Sequence, residues 1–166
     1  SDLLTDKTEG EWARAFELYK GFDVDRGVDD LKSTLATIRR DARCSGRVGN
    51  IGFCLGGKLS YLMATRSDAD CSVSYYGVGI EDLVQECANI KKPLLMHIAE
   101  KDKFVLPAAQ EKILVAVKEN PRVTAHVYIG LDHAFARIGG QHYDAEAARL
   151  ANARTADFLA TYLADE

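Results

Sequence analysis

The run Val48-Gly-Asn-Ile-Gly-Phe-Cys-Leu-Gly-Gly-Lys58 joins a short strand to a helix through a very tight turn. Val48, Ile51 and Phe53, interleaved with glycine, predict a short buried strand. Lys58-Leu-Ser-Tyr-Leu-Met-Ala-Thr65 predicts a helix. Between them, Gly52-Phe-Cys54-Leu-Gly56 matches the G-x-S-x-G nucleophile elbow, with Cys in place of Ser. A side chain at such a bend is held in a strained backbone shape. Small residues two positions either side let strand and helix close up without a clash. The bend lifts the sulfur above the sheet edge, near a helix N-terminus whose partial positive charge favours a thiolate. Alone, the five-residue match favours an inert small thiol in a glycine-rich turn. The rest of the chain shifts the balance.

Working outward, the same alternation recurs. Cys71–Gly77, Pro93–Ala99 and Val123–Ile129 predict strands. The second of these is nearly all apolar, as in a strand covered on both faces. Apolar residues at helical spacing predict helices over Glu11–Gly21, Val28–Arg43, Pro107–Lys118 and Tyr143–Leu163. Asp25–Asp30 reads as a break between the first two, and residues 78–92 as loop plus a short helix near Leu83. Strands alternating with helices specify an α/β protein with a mostly parallel sheet flanked by helices. Residues 1–166 form one domain, a length that supports a sizeable core.

Composition narrows the partners. A net charge of −4 argues against nucleic acid and against an anionic membrane. No run of about 18 apolar residues predicts a membrane span. Cys44, Cys54, Cys71 and Cys87 have neither CxxC pairing nor metal-type spacing. Free thiols in a reducing cytoplasm are the expectation, with no metal and no cofactor.

In parallel sheets, ligands bind beyond the carboxyl ends of the strands. Three polar residues fall there: Cys54 after the first strand, Asp102 after the third and His133 after the fourth. Their order in the chain is nucleophile, acid, histidine. A thiol must lose its proton to attack a carbonyl, and a histidine accepts it. An acid on the far ring nitrogen fixes the tautomer and stabilises imidazolium. Asp132 competes for that role, but a sequence neighbour of His133 seldom reaches its ring. The Leu55 N–H would face a developing oxyanion. His97 and His126 read as packed within strands, His142 as exposed, and Cys44, Cys71 and Cys87 as structural.

Gly-Phe-Cys54-Leu-Gly-Gly, Tyr75-Tyr-Gly-Val-Gly-Ile-Glu, Asp102-Lys-Phe-Val-Leu-Pro and His133-Ala-Phe-Ala-Arg137 together resemble the dienelactone hydrolases, or carboxymethylenebutenolidases, from about Phe16 to Tyr162. The resemblance implies the C-terminal portion of an α/β-hydrolase with a Cys54–His133–Asp102 triad. It implies cofactor-free opening of an enol-lactone by way of an acyl-enzyme. The implied substrate is a small ester or lactone carrying a carboxylate, held by Arg137. Tyr76 and Phe104 are implied as aromatics lining its pocket.

Two departures qualify this. Trp12 stands where dienelactone-specific members carry a second substrate arginine, and Phe16 where they carry a tyrosine. Arg14 lies on another side of that helix. The family also carries early strands with no counterpart here, expected to supply the second oxyanion N–H and a glutamate near the thiol. The elbow strand is therefore expected to have an open edge, covered by a separate N-terminal fragment or by a neighbour in a homo-oligomer. The alternative function is a catalytically incomplete scaffold with a binding or thiol-redox role. A thiol peptidase ranks last, because no long substrate groove is legible.

Overall fold

The computed structural model describes Leu4 and residues 8–164. Its elements are α1 (Glu9–Lys20), α2 (Val24–Arg39), β1 (Gly49–Phe53), α3 (Leu55–Arg66), β2 (Cys71–Tyr75), a 3₁₀ turn (Val84–Asn89), β3 (Leu94–Ala99), α4 (Pro107–Val117), β4 (Val123–Tyr128) and α5 (Ala145–Leu163). The four strands are all parallel and lie in the order β1-β2-β3-β4.

The alternation along each strand sorts its side chains between two cores. On one face Leu94, Met96 and Ile98 of β3 meet Val28 and Leu35 of α2, Leu62 of α3 and Ile113 of α4. On the other, Val73, Tyr75, Leu95 and Tyr128 pack with Phe135, Ala151 and Phe158, so α5 covers that side. Every residue of β2 and β3 is buried, as expected of strands covered on both faces.

Two expectations change, and the predicted first helix shows a feature its pattern left open. The strand β1 is not buried: Ile51 is 45% and Phe53 50% exposed. It pairs with β2, and among the described residues no strand occupies its other edge. Helix α2 begins at Val24, capped by the Asp23 side chain, and runs straight through the stretch read as a break. Gly27 misled that reading. A Cβ there would lie 2.6 Å from the tip of the exposed Phe22 ring, a side chain with room to swing away. Finally, the apolar stripe of α1 is no core face. No residue of α1 is buried, and Trp12, Phe16, Leu18 and Tyr19 are exposed.

Paired charges hold α2 against the sheet layer. Arg39 pairs with Asp68 and, at 2.8 Å, with Asp70, whose carboxylate accepts the Val48 N–H at the start of β1. Arg66 bridges Glu86 at 2.6 Å and Asp25 at 2.7 Å.

Candidate active site

The turn from β1 into α3 needs Gly52, as expected, but not Gly56, where a Cβ would meet nothing within 4 Å; on the helix side the constrained glycine is Gly57. Cys54 has φ 57° and ψ −116°. A Cβ on Gly52 would fall within the Gly56 carbonyl, and one on Gly57 would lie 2.6 Å from the Tyr75 carbonyl oxygen. The Cys54 N–H donates to the Tyr75 carbonyl at 3.1 Å, and its own carbonyl accepts from Lys58 N–H. Leu55 opens α3, so its N–H has no acceptor inside the helix. Cys54 itself is half-buried.

Asp102 follows β3 and is buried. Its Oδ1 accepts the backbone N–H groups of Phe104 at 2.8 Å and Val105 at 3.3 Å, which fixes the carboxylate. Its Oδ2 lies 2.8 Å from His133 Nδ1. His133 comes from the loop after β4, tied to Asp102's own loop by Lys101 N–H donating to the Leu131 carbonyl at 2.8 Å. Ala134 next to it has φ 62°, and the following Phe135 is fully buried as an anchor.

The electrostatics of His133 follow from these neighbours. Burial opposes its charged form, but hydrogen bonds to Asp102 and to Cys54 outweigh burial and push the imidazole up to about 9. Asp102 and Cys54 thus engage the ring together. Asp132 does not reach the ring. It accepts the His133 backbone N–H at 2.7 Å and pairs with Lys103 at 3.1 Å.

The remaining predicted residues are distributed around this centre. The Phe104 ring stands edge-on to His133, with centroids 4.8 Å apart, and is 43% exposed. Tyr76 also packs on His133, at 5.1 Å, but is only 4% exposed. It buttresses the histidine from below and offers little surface to a pocket. Arg137 lies exposed on the same loop, and its charge is felt at the Tyr76 phenol. His142, read as exposed, is half-buried with its Nε2 3.7 Å from Asp132. His97 is buried as expected, whereas His126 is half-buried. Arg14 pairs with Glu17 at 2.6 Å, both exposed. Among the described residues, no group of three or more His, Cys, Asp or Glu could hold a metal ion, and no helix is long and apolar enough to cross a membrane.

Two features extend what the sequence indicated at Cys54, Trp12 and Phe16. Trp12 stacks on Phe104 and Phe16 meets it at a tilt, at 6.3 Å in each case, bringing α1 to the rim of the site. The i, i+4 pairing of Trp12 and Phe16 on this helix was the available signal. The second is strain: the non-glycine residues with positive φ among the described residues are Cys54, Tyr76 and Ala134, all at this site. Strained backbone of this kind clusters at functional sites and costs roughly 1–3 kcal/mol per residue.

Comparison with known proteins agrees with this geometry. A family model described as "Dienelactone hydrolase family" matches residues 4–163. A "Putative carboxymethylenebutenolidase" of Azospirillum brasilense is 55% identical over 161 residues, covering 96% of this chain and 69% of that protein. The carboxymethylenebutenolidase of Pseudomonas putida is 37% identical over 157 residues, covering 95% of this chain and 66% of that protein. This chain therefore spans about two-thirds of the length of these relatives. Among solved structures, a "Putative Dienelactone Hydrolase" of Klebsiella pneumoniae superposes with a TM-score of 0.78 at 24% identity, over 87% of this chain and 64% of that one. A dienelactone hydrolase-like promiscuous phosphotriesterase from metagenomic libraries does so at 0.76 and 17% identity, over 92% and 67%. Both structural likenesses carry the fold.

Proposed function

This chain belongs to the dienelactone hydrolase family, and we propose that it is a thiol hydrolase of small carboxylate-bearing esters or lactones, working through an acyl-enzyme on Cys54. His133 Nε2 takes the thiol proton, and Sγ attacks the substrate carbonyl carbon. The carbonyl oxygen becomes an oxyanion facing the Leu55 N–H at the start of α3. Collapse of the intermediate breaks the C–O bond, and His133 returns its proton to the departing oxygen. In a lactone that oxygen stays tethered to the acyl group. Water, deprotonated by His133, then attacks the thioester. Cleavage of the C–S bond releases a carboxylic acid and restores the thiol. Asp102 keeps the ring in the correct tautomer throughout and stabilises each imidazolium. Arg137 pairs with the substrate carboxylate through its guanidinium fork. Tyr76 holds the His133 ring, and Phe104 borders the substrate. No step calls for a cofactor, and four free thiols suit a reducing cytoplasm.

The observation that carries this reading is the 2.8 Å contact between Asp102 Oδ2 and His133 Nδ1, on a ring whose proton affinity the Cys54 sulfur also raises. The test is hydrolysis of an aryl ester and of dienelactone by the full chain and its Cys54→Ala and Cys54→Ser variants. The alanine variant is expected to lose activity roughly 10³-fold or more. Unchanged rates with both substrates would end the proposal.

The open edge of β1, with Ile51 and Phe53 exposed, supports a second part of the reading. An apolar edge of this kind pairs with other chains. A further strand pairs with it, whether from the same polypeptide, a separate piece or a second copy of the chain. Light scattering with intact-mass measurement tests this. A lone monomer with that edge in solvent would contradict it.

A further inference from the structure

The loop that carries Asp102 is closed by one side chain from the helix that follows it. Gln110, near the start of α4, is buried. Its Nε2 lies 2.7 Å from the Val105 carbonyl oxygen and 3.1 Å from those of Ala99 and Glu100. All three neighbours are acceptors, so the amide nitrogen, with its two hydrogens, must be the end that faces them. A single side chain thereby joins the residues entering the loop to one that leaves it.

Each of these bonds lies one step from Asp102. The Ala99 carbonyl also accepts the Asp102 backbone N–H at 3.3 Å. Val105, whose carbonyl Gln110 holds, donates its own N–H to Asp102 Oδ1 at 3.3 Å. Glu100, the third residue held, accepts the Gly130 N–H at 2.8 Å through its carboxylate, which reaches the loop of His133. Both ends of the Asp102 loop, and one tie to the histidine loop, thus converge on the Gln110 amide. An amide donates here without bringing a charge that would compete with His133 for the Asp102 carboxylate.

We propose that Gln110 is a positioning residue of the reaction: its side-chain amide sets the loop that aims the Asp102 carboxylate at His133. This rests on the triad assigned above and adds a residue that touches neither the substrate nor the reacting atoms. A misplacement of about 1 Å passed on in this way costs up to about a hundredfold in rate.

Gln110→Met keeps a side chain of similar length and removes both donors. In the full chain it should lower kcat for an aryl ester about tenfold or more at pH 7, while KM changes less than about twofold. The His133 titration, near 9 in the unchanged protein, should fall by at least about one pH unit as Asp102 loosens its hold. Val117→Ala is the control for stability alone. Val117 is buried in the same helix and holds no part of the loop, so its loss should leave the His133 titration in place. A second measurement needs no variant to fold. In the unchanged protein, the side-chain amide signals of Gln110 in 15N–1H spectra should move with the same midpoint as His133. A titration that Gln110→Met leaves near 9, or amide signals indifferent to His133, would overturn the proposal. The two readings fail separately. If Asp102→Asn alters neither rate nor titration, the triad is wrong. If Asp102→Asn alters both and Gln110→Met neither, the role of Gln110 alone is wrong.

Discussion

Acid should unfold this protein through one buried histidine that takes no part in the proposed chemistry. His97 of β3 is 1% exposed. Its Nδ1 lies 2.8 Å from the Tyr128 hydroxyl and its Nε2 2.9 Å from the Thr155 hydroxyl. Tyr75 packs against one side of the ring at 4.2 Å, and His126 lies at 6.2 Å. Burial first, then the charges of His126 and Arg154, lower His97 from 6.5 to about 3. The folded protein thus binds this proton less readily than the unfolded chain. Stability from His97 is fully present above pH 6.5 and is lost as the pH falls toward 3. At about 1.4 kcal/mol per pH unit, the loss between pH 7 and pH 4 is about 3 kcal/mol. Carboxylates titrate over the same range, so the measurement is a difference. Urea unfolding, followed by far-UV circular dichroism, is compared for the protein and its His97→Gln variant from pH 7 to pH 4. Glutamine cannot take up the proton. At pH 7 it should cost about 1–3 kcal/mol through the hydrogen bonds lost at the Tyr128 and Thr155 hydroxyls, which keep their contacts to Arg154 and Tyr75. That gap should close by about 3 kcal/mol on reaching pH 4. Two stability curves that stay parallel would refute the account.

Three further outcomes are expected. His133 should titrate near 9 in an NMR pH series, and Asp102→Asn should drop it below 6.5, since burial then acts with one hydrogen bond fewer against it. Because folding raises its proton affinity, His133 stabilises the fold below pH 6.5, and this is lost as the pH rises through 9; the Asp102→Asn variant should show less loss over that interval. Gly52→Ala should leave little soluble protein, or destabilise by more than about 3 kcal/mol in urea melts, because rigid backbone occupies the space its methyl needs. Arg66→Ala should cost about 1–2 kcal/mol, as Glu86, only 17% exposed, loses a two-point partner; no change in the melting midpoint would count against that pairing.

How far the sequence reached depended on how local each cause was. The parallel sheet was legible because β2 and β3 are short and buried on both faces, which leaves a nearly unbroken apolar run in β3. The elbow was legible because its sterics fall on adjacent residues, with Gly52 and Gly57 facing backbone. Asp102 was separable from Asp132 by reach alone, and their different partners follow that logic. By contrast, the exposure of Ile51 and Phe53 depends on what lies beside β1, which their own pattern cannot state. The depth of Tyr76 depends on Phe135, far along the chain, closing over it. The partners of His97 lie 31 and 58 residues away, so its packing was foreseeable and its hydrogen bonds were not.

Helix α1 lends the site its aromatic face while contributing no buried residue to either core. What borders the site and what keeps the protein folded are thus written in different stretches of the chain. Drift or selection can redraw the first at positions 12 and 16 while the sheet, the elbow and the histidine loop stay as they are.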